Sequence, residues 1–346
     1  MNHRLMKSAG IATLTIVVAF TLVPAVSADE PSAAALRAEE QGLEIDANPT
    51  QGSSERTWFF DGRDVDLLLI PDSTNDRVMA FDPVTGALVE ENFIPSDATN
   101  LSTPKSALYK SDGLGFLVVD QIDDAVQEYD LNGDYVGVFA PAGGVNTDIL
   151  DNSRSIDYHP TTGQLLATVA NGANADSVAA FDPVTGAYLG NFVATGAGGM
   201  GGPWDVLFDA TYAYVGASDS DAIHRFDATT GAYVDDFYPV DSFPEQMAWA
   251  ANGNMLIAEW SGTQEGIIEL QPDGTLVAVL YTAEIDGPRG VFELPTGNLL
   301  VSNGQGVHEI TRAGVFVDSK ITGVSCHQIN LAQGVVPVEL QSFSVE

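Results

Sequence analysis

Six short segments of this 346-residue chain align with one another, most of them opened by a proline, and each carries a reactive or recognition-type side chain at its second position. They are Pro104-Lys105-Ser106-Ala107, Ser153-Arg154-Ser155-Ile156, Pro203-Trp204-Asp205-Val206, Pro244-Glu245-Gln246-Met247, Pro288-Arg289-Gly290-Val291 and Cys326-His327-Gln328-Ile329-Asn330. If these are neighbouring strands of one ring, their second positions form a rim of Lys105, Arg154, Trp204, Glu245, Arg289 and His327. Three cations together on a chain of net charge −35 would focus a small anion, such as a carboxylate or a phosphate. Trp204 would supply an apolar wall, His327 a titratable donor, and Asp205 a carboxylate beside them. A competing reading fits the same residues: the cations pair with neighbouring acids, Glu245 and Asp205 included, and merely stiffen the rim.

A second set, Asp72, Asp120, Asn171, Glu259 and Asn303, follows apolar runs and offers oxygens in the number calcium uses, six to eight. Aspartates at strand ends also cap turns routinely, and the turn role is the expectation here. Asp130-Leu131-Asn132-Gly133-Asp134 imitates the start of a calcium loop, but Tyr135 stands where glycine is required and Pro141 where the bidentate glutamate belongs. It reads as a hairpin turn. No metal site is assigned and no cofactor is required, calcium being the one ion in play. Of the five histidines only His327 falls where a site could form, and no Ser-His-Asp order or phosphate loop emerges. Cys326 reads as a small packed residue rather than a nucleophile. No catalytic residue is assigned, and binding without catalysis is the first expectation.

These residues need a scaffold that brings distant segments together, and the turns supply its signature. Phe81-Asp82-Pro83-Val84-Thr85-Gly86, Tyr129-Asp130-Leu131-Asn132-Gly133, Phe181-Asp182-Pro183-Val184-Thr185-Gly186, Phe226-Asp227-Ala228-Thr229-Thr230-Gly231, Leu270-Gln271-Pro272-Asp273-Gly274 and Ile310-Thr311-Arg312-Ala313-Gly314 repeat one pattern. Their last glycines lie 47, 53, 45, 43 and 40 positions apart. A period of roughly 40–50 residues made of strands and turns indicates propeller blades rather than a helical solenoid. The expectation is an all-β, six-bladed β-propeller closed by a C-terminal strand. The late segment at His327 completes the first blade and removes an exposed sheet edge. Trp58-Phe59-Phe60 is then an extra strand or cover; if it began a blade of its own, the count would be seven.

Residues 1–28 read as a signal peptide, with Arg4 and Lys7 before an apolar run and Val26-Ser27-Ala28 at the cleavage site. Residues 29–56 read as an acidic linker, 57–335 as the propeller and 336–346 as a C-terminal tail, a spacer or sorting remnant. Export places the chain outside the cytoplasm, secreted, periplasmic or at the cell surface, with no membrane insertion after cleavage. Without Arg4 and Lys7, 11 basic residues face 48 acidic ones, about −37, which argues against nucleic acid and anionic lipid as partners. The single cysteine leaves no intrachain disulfide.

The blade Asp72-Ser73-Thr74-Asn75-Asp76-Arg77-Val78-Met79-Ala80-Phe81-Asp82 resembles the NHL repeat, in which Asp, Asn, Arg, an aliphatic residue and Phe-Asp recur at this spacing. Asp120–Asp130 and Ala217–Asp227 keep the spacing without the Asn and Arg. The resemblance covers roughly residues 65–331 and implies the propeller architecture. The family holds binding modules, calcium-dependent lactonases of the gluconolactonase type, and lyases. In its lactonases, acids and Asn at the channel coordinate the metal; here Lys, Arg and Trp occupy several of those positions. The partner expected is a small anionic ligand or another protein, and a surface-adhesion role is the third possibility.

Overall fold

The computed structural model describes residues 65–335. The proposed signal peptide, the acidic linker, Trp58-Phe59-Phe60 and the C-terminal tail lie outside these residues.

Twenty-four strands form six four-stranded antiparallel sheets, the blades of a propeller. Blade 2 is typical: β4 (Pro104–Tyr109) is innermost, followed outward by β5 (Phe116–Asp120), β6 (Ala125–Tyr129) and β7 (Tyr135–Ala140). Blade 3 runs β8 (Ile156–Tyr158) to β11 (Tyr188–Val193), blade 4 β12 (Pro203–Phe208) to β15 (Tyr233–Pro239), blade 5 β16 (Pro244–Trp249) to β19 (Leu276–Leu280), and blade 6 β20 (Pro288–Glu293) to β23 (Phe316–Thr322). Blade 1 is composite. Its outer strands β1 (Val65–Asp72), β2 (Arg77–Phe81) and β3 (Leu88–Ile94) are joined on the inside by β24 (Asn330–Val335) from the far end of the chain.

The second strand of each blade is apolar along its length because both of its faces are covered. Successive side chains of a strand point to opposite sides, and each side here meets a neighbouring blade. Leu67 and Leu69 of β1 pack with Ala107, Phe116 and Val118 of blade 2. Leu68 and Ile70 pack with Leu300 and Val307 of blade 6, together with Cys326 and Ile329. Cys326 is fully buried there. The other blade boundaries are filled in the same way, so the core is a ring of inter-blade layers.

The repeated turns close locally. Asp182 Oδ1 accepts from the backbone N–H of Val184 and Thr185 and from the Thr185 hydroxyl, at 2.8–3.0 Å. Gly86, Gly186 and Gly231 follow with φ of 69°, 67° and 66°, in the left-handed region that favours glycine. Two of them also press on the preceding blade. A Cβ on Gly186 would lie 1.7 Å from the Phe139 carbonyl oxygen, and one on Gly231 1.8 Å from that of Phe192.

Candidate functional site: the channel mouth

In five of the six blades the segment that opens the innermost strand carries a bulge, which explains why its ring residue leaves the ladder. In blade 2, Pro104 pairs with Asp120 and Ser106 with Val119, so Lys105 is the extra residue. The same skip isolates Trp204 between Pro203 and Asp205, Glu245 between Pro244 and Gln246, and Arg289 between Pro288 and Gly290. In blade 1, Asp72 bridges to Cys326 while Leu69 pairs with Asn330, leaving one extra residue in the later segment, where His327 sits. A bulge re-aims a side chain while the strand continues. Blade 3 differs: β8 begins only at Ile156, and the N–H groups of Arg154 and Ser155 bond the Thr168 hydroxyl at 3.3 and 3.0 Å.

The six side chains make contacts in two groups, one around Trp204 and one around Glu245, that interact electrostatically with each other. Arg154 lies over the Trp204 ring at 4.1 Å from its centroid and Lys105 over the same ring at 5.6 Å. Lys105 Nζ donates to His327 Nδ1 at 3.3 Å. Arg289 Nε stands 4.0 Å from Glu245 Oε1, and its Nη1 donates to the Ser325 hydroxyl at 2.7 Å. Lys105, Trp204, Glu245 and His327 are buried, whereas Arg154 and Arg289 are half-buried. Among the described residues, neither Lys105 nor Arg154 has an ion pair with a carboxylate. Arg154 instead donates to the Asn152 side chain and the Gly202 carbonyl, at 3.3 and 3.2 Å.

Electrostatics follow from burial. Desolvation lowers the Lys105 ammonium and raises the Glu245 carboxyl; their mutual attraction opposes part of each shift, and Arg289 opposes the shift of Glu245 but adds to that of Lys105. Desolvation pushes His327 well below the imidazole range, and Lys105 and Arg289 reinforce it. The ammonium has only donors, so Nδ1 accepts and the ring proton sits on Nε2, facing the Ser73 hydroxyl at 2.9 Å. The sequence reading made His327 a titratable donor. In the structure its Nδ1 accepts from Lys105, its Nε2–H faces Ser73, and burial disfavours the imidazolium.

Beneath the mouth, side chains cross the axis. Asp205 Oδ1 accepts from Ser155 of blade 3 at 2.7 Å and from Gln328 of blade 1 at 3.4 Å, while Oδ2 accepts the Met247 N–H of blade 5 at 2.7 Å. Burial nevertheless raises Asp205 to about 6. Gln246 Nε2 donates to the Ile329 carbonyl at 2.9 Å, and its Oε1 accepts the N–H groups of Ile329 and Val291 at 3.0 Å. Asp205 therefore sits one layer below the rim as a structural hub. Ser155, Gln246 and Gln328 were missed as site components. They occupy the third position of the aligned segments, so the same alignment read one residue further would have found them.

The strand-end oxygens do not converge. Asp72 accepts from Thr74 N–H, Asn75 and Arg77, and Asp120 from the N–H groups of Ser102, Thr103, Ile122 and Asp123. Asn171 is exposed. Among the described residues no group of three or more His, Cys, Asp or Glu side chains is placed to hold a metal ion. Glu259 departs from the pattern: it is fully buried, Oε1 accepts Ser242 N–H at 3.0 Å, and Oε2 has no hydrogen-bond partner among the described residues. Asp130 accepts from Asn132 and Asp134 N–H, as the hairpin reading expects.

No family model matches the chain, and no curated protein matches it. Solved structures do. A chain of a nidogen/laminin complex aligns at 13% identity with a TM-score of 0.63, covering 78% of this chain and 99% of its own. A putative gluconolactonase aligns at 14% with a TM-score of 0.52, covering 68% and 87%. A gluconolactonase from Xanthomonas campestris aligns at 16% with a TM-score of 0.51, covering 68% and 78%. Among the described residues no helix is long and apolar enough to cross a membrane. At these identities the likeness is one of fold: the chain is a six-bladed β-propeller of the architecture that the nidogen-type and gluconolactonase-like structures share.

Proposed function

We propose that this protein is an exported binding module that takes a small anion at the channel mouth. The observation that carries the reading is the placement of Lys105 and Arg154 against Trp204, neither ion-paired among the described residues, beside Arg289, whose one ion-pair partner among those residues, Glu245, stands 4.0 Å away. Three cations share Glu245, and a bound carboxylate or phosphate would satisfy the excess. On an acidic body such a cluster draws anions to one place. Titration calorimetry with acetate and inorganic phosphate tests this. Arg154→Ala and Arg289→Ala should each weaken binding about 10–100-fold, the range for hydrogen bonds to charged groups, and added salt should weaken it further. Absence of binding to either anion at low salt would overturn the reading.

A second reading, a lactone hydrolase or lyase, draws support from the facing shifts of Glu245 and Lys105, which bring an acid and a base toward the neutral range. Turnover of a lactone panel with and without calcium, lost in Glu245→Gln, would favour it. The fold shared with a chain of a nidogen/laminin complex supports a third, a protein partner on the same face.

A further inference from the structure

An aromatic run leads away from the cations on the same end of the blades. Trp204 meets Phe243 edge-on at 5.9 Å, and Phe243 meets Trp260 edge-on at 5.3 Å. Trp260 directly follows β17 (Met255–Glu259), whose last residue pairs with the first of β16, and its N–H bonds the Phe243 carbonyl at 3.0 Å. The run therefore opens at the mouth and not at the opposite face. It ends beside blade 6, where a Cβ on Gly287 would lie 2.9 Å from Trp260 Nε1, two residues before Arg289.

Two features of this run are not accounted for by packing. Trp260 packs on the single ring of Phe243 and is 38% exposed, so much of its indole faces solvent at the mouth end. Trp204 is only 7% exposed, yet its indole N–H has no protein acceptor among the described residues. A buried donor without a partner is costly, of order 1–3 kcal/mol, and ligand sites are where such donors are kept. Charge at one end, an apolar shelf at the other and a spare donor between them describe the complement of an amphiphilic anion.

We infer that the ligand is a carboxylate bearing a flat aromatic ring, its carboxylate against Arg154, Arg289 and Lys105 and its ring on the shelf of Phe243 and Trp260. The inference rests on the anion-binding reading above and adds the chemistry of the rest of the molecule. Rings meeting aromatic side chains edge-on or offset gain about tenfold in affinity, and the gain is independent of the charge.

Calorimetry on the full chain with acetate, inorganic phosphate, benzoate and gluconate separates the two readings. Benzoate should bind about tenfold more tightly than acetate. Trp260→Ala should bring benzoate down to the acetate value while leaving acetate and phosphate within twofold, and Trp260→Phe should keep most of the benzoate preference. If Trp260→Ala fails to fold, Phe243→Leu is compared in its place, and saturation transfer from benzoate ring protons to protein aromatic protons reads the contact in the unmodified chain. Acetate and phosphate binding with no benzoate preference, or with a preference that these substitutions leave intact, overturns the aromatic assignment and spares the anion site. Gluconate binding more tightly than benzoate overturns it in favour of a polyol acid. Binding of none of the four overturns both readings.

Discussion

At the outer rim, Asp182 and Asp227 each accept two backbone N–H groups and a threonine hydroxyl, and these donors pull both carboxyls below the usual aspartate range. At the channel, Glu259 is raised to about 8, and Glu245 and Asp205 are raised as well, with burial the first cause in every case. The same functional group is thus stabilised as an anion at one radius and disfavoured as an anion at the other. Rim turns are built from neighbours in sequence and repeat from blade to blade. The mouth is built from six different residues, one per blade, and part of its surroundings costs stability. That division is expected of a fold that carries a site: the scaffold stabilises itself, and the site is held in place by it.

The comparison breaks most severely if the ring is opened. Truncation after Gly323 removes β24, leaves β1 unpaired on its inner side and takes His327 from the mouth. Cooperative unfolding in urea, followed by circular dichroism, should be lost. An undiminished transition would mean that closure contributes nothing. The next effect lies at the rim. Gly186→Ala and Gly231→Ala combine positive φ with an approach of 1.7 and 1.8 Å to a carbonyl oxygen, and each should cost more than about 3 kcal/mol. Gly86 has the same φ, but its added Cβ would meet the movable Leu300 side chain at 2.9 Å. Gly86→Ala should cost about 1–2 kcal/mol. Equal losses in denaturant titrations would show that φ alone decides.

The smallest effect sharpens the contrast in pH. Glu259 has a folded-state value of about 8 against an ordinary 4.5. The stability it contributes is therefore present below pH 4.5 and is lost as pH rises through 8. Glu259→Gln removes the ionisation, so the variant should match the parent near pH 4.5 and melt a few degrees higher at pH 9. Asp227 has the opposite sign: its contribution is present above pH 3.8 and lost as pH falls through its lowered value. Asp227→Asn should therefore lower Tm at pH 9 and have little effect at the acid limit. Parallel pH profiles for the two variants would overturn the distinction.

How far the sequence could be read follows the same division. The Phe-Asp-x-x-Thr-Gly turns announce themselves because each is satisfied within six residues, and the recurrence of turn glycines every 40–53 positions signals propeller blades. The ring positions share one place in the aligned segments: Lys105, Trp204, Glu245 and Arg289 are second in their inner strands, while Arg154 and His327 come just before theirs. Their actual relations were not legible. His327 faces Lys105, 222 positions away, and Gln246 bonds Ile329, 83 positions away. Such pairings are fixed by ring closure, and no local pattern encodes them. Burial is the other hidden quantity: Glu259 and Asp72 end equivalent strands and both are fully buried. Asp72 is bonded by Arg77, while Glu259 has an oxygen without a partner among the described residues. The Phe243–Trp260 shelf is likewise silent in the sequence, because its two members lie in different loops.

The antiparallel pair of β1 and β24 begins at Val65 opposite Val335, and the inner pairs Leu67–Ala332, Leu68–Leu331 and Leu69–Asn330 follow in order. The two ends of the described chain therefore leave from the same end of one ladder. Tension applied through both flanking segments would act on these pairs one after another, like opening a zipper, and not on all of them at once as in shear. The propeller should yield first at blade 1 under low force, and releasing β24 would carry His327 away from Lys105. A pull on the two tails would thus dismantle the channel mouth before it unfolds the other five blades.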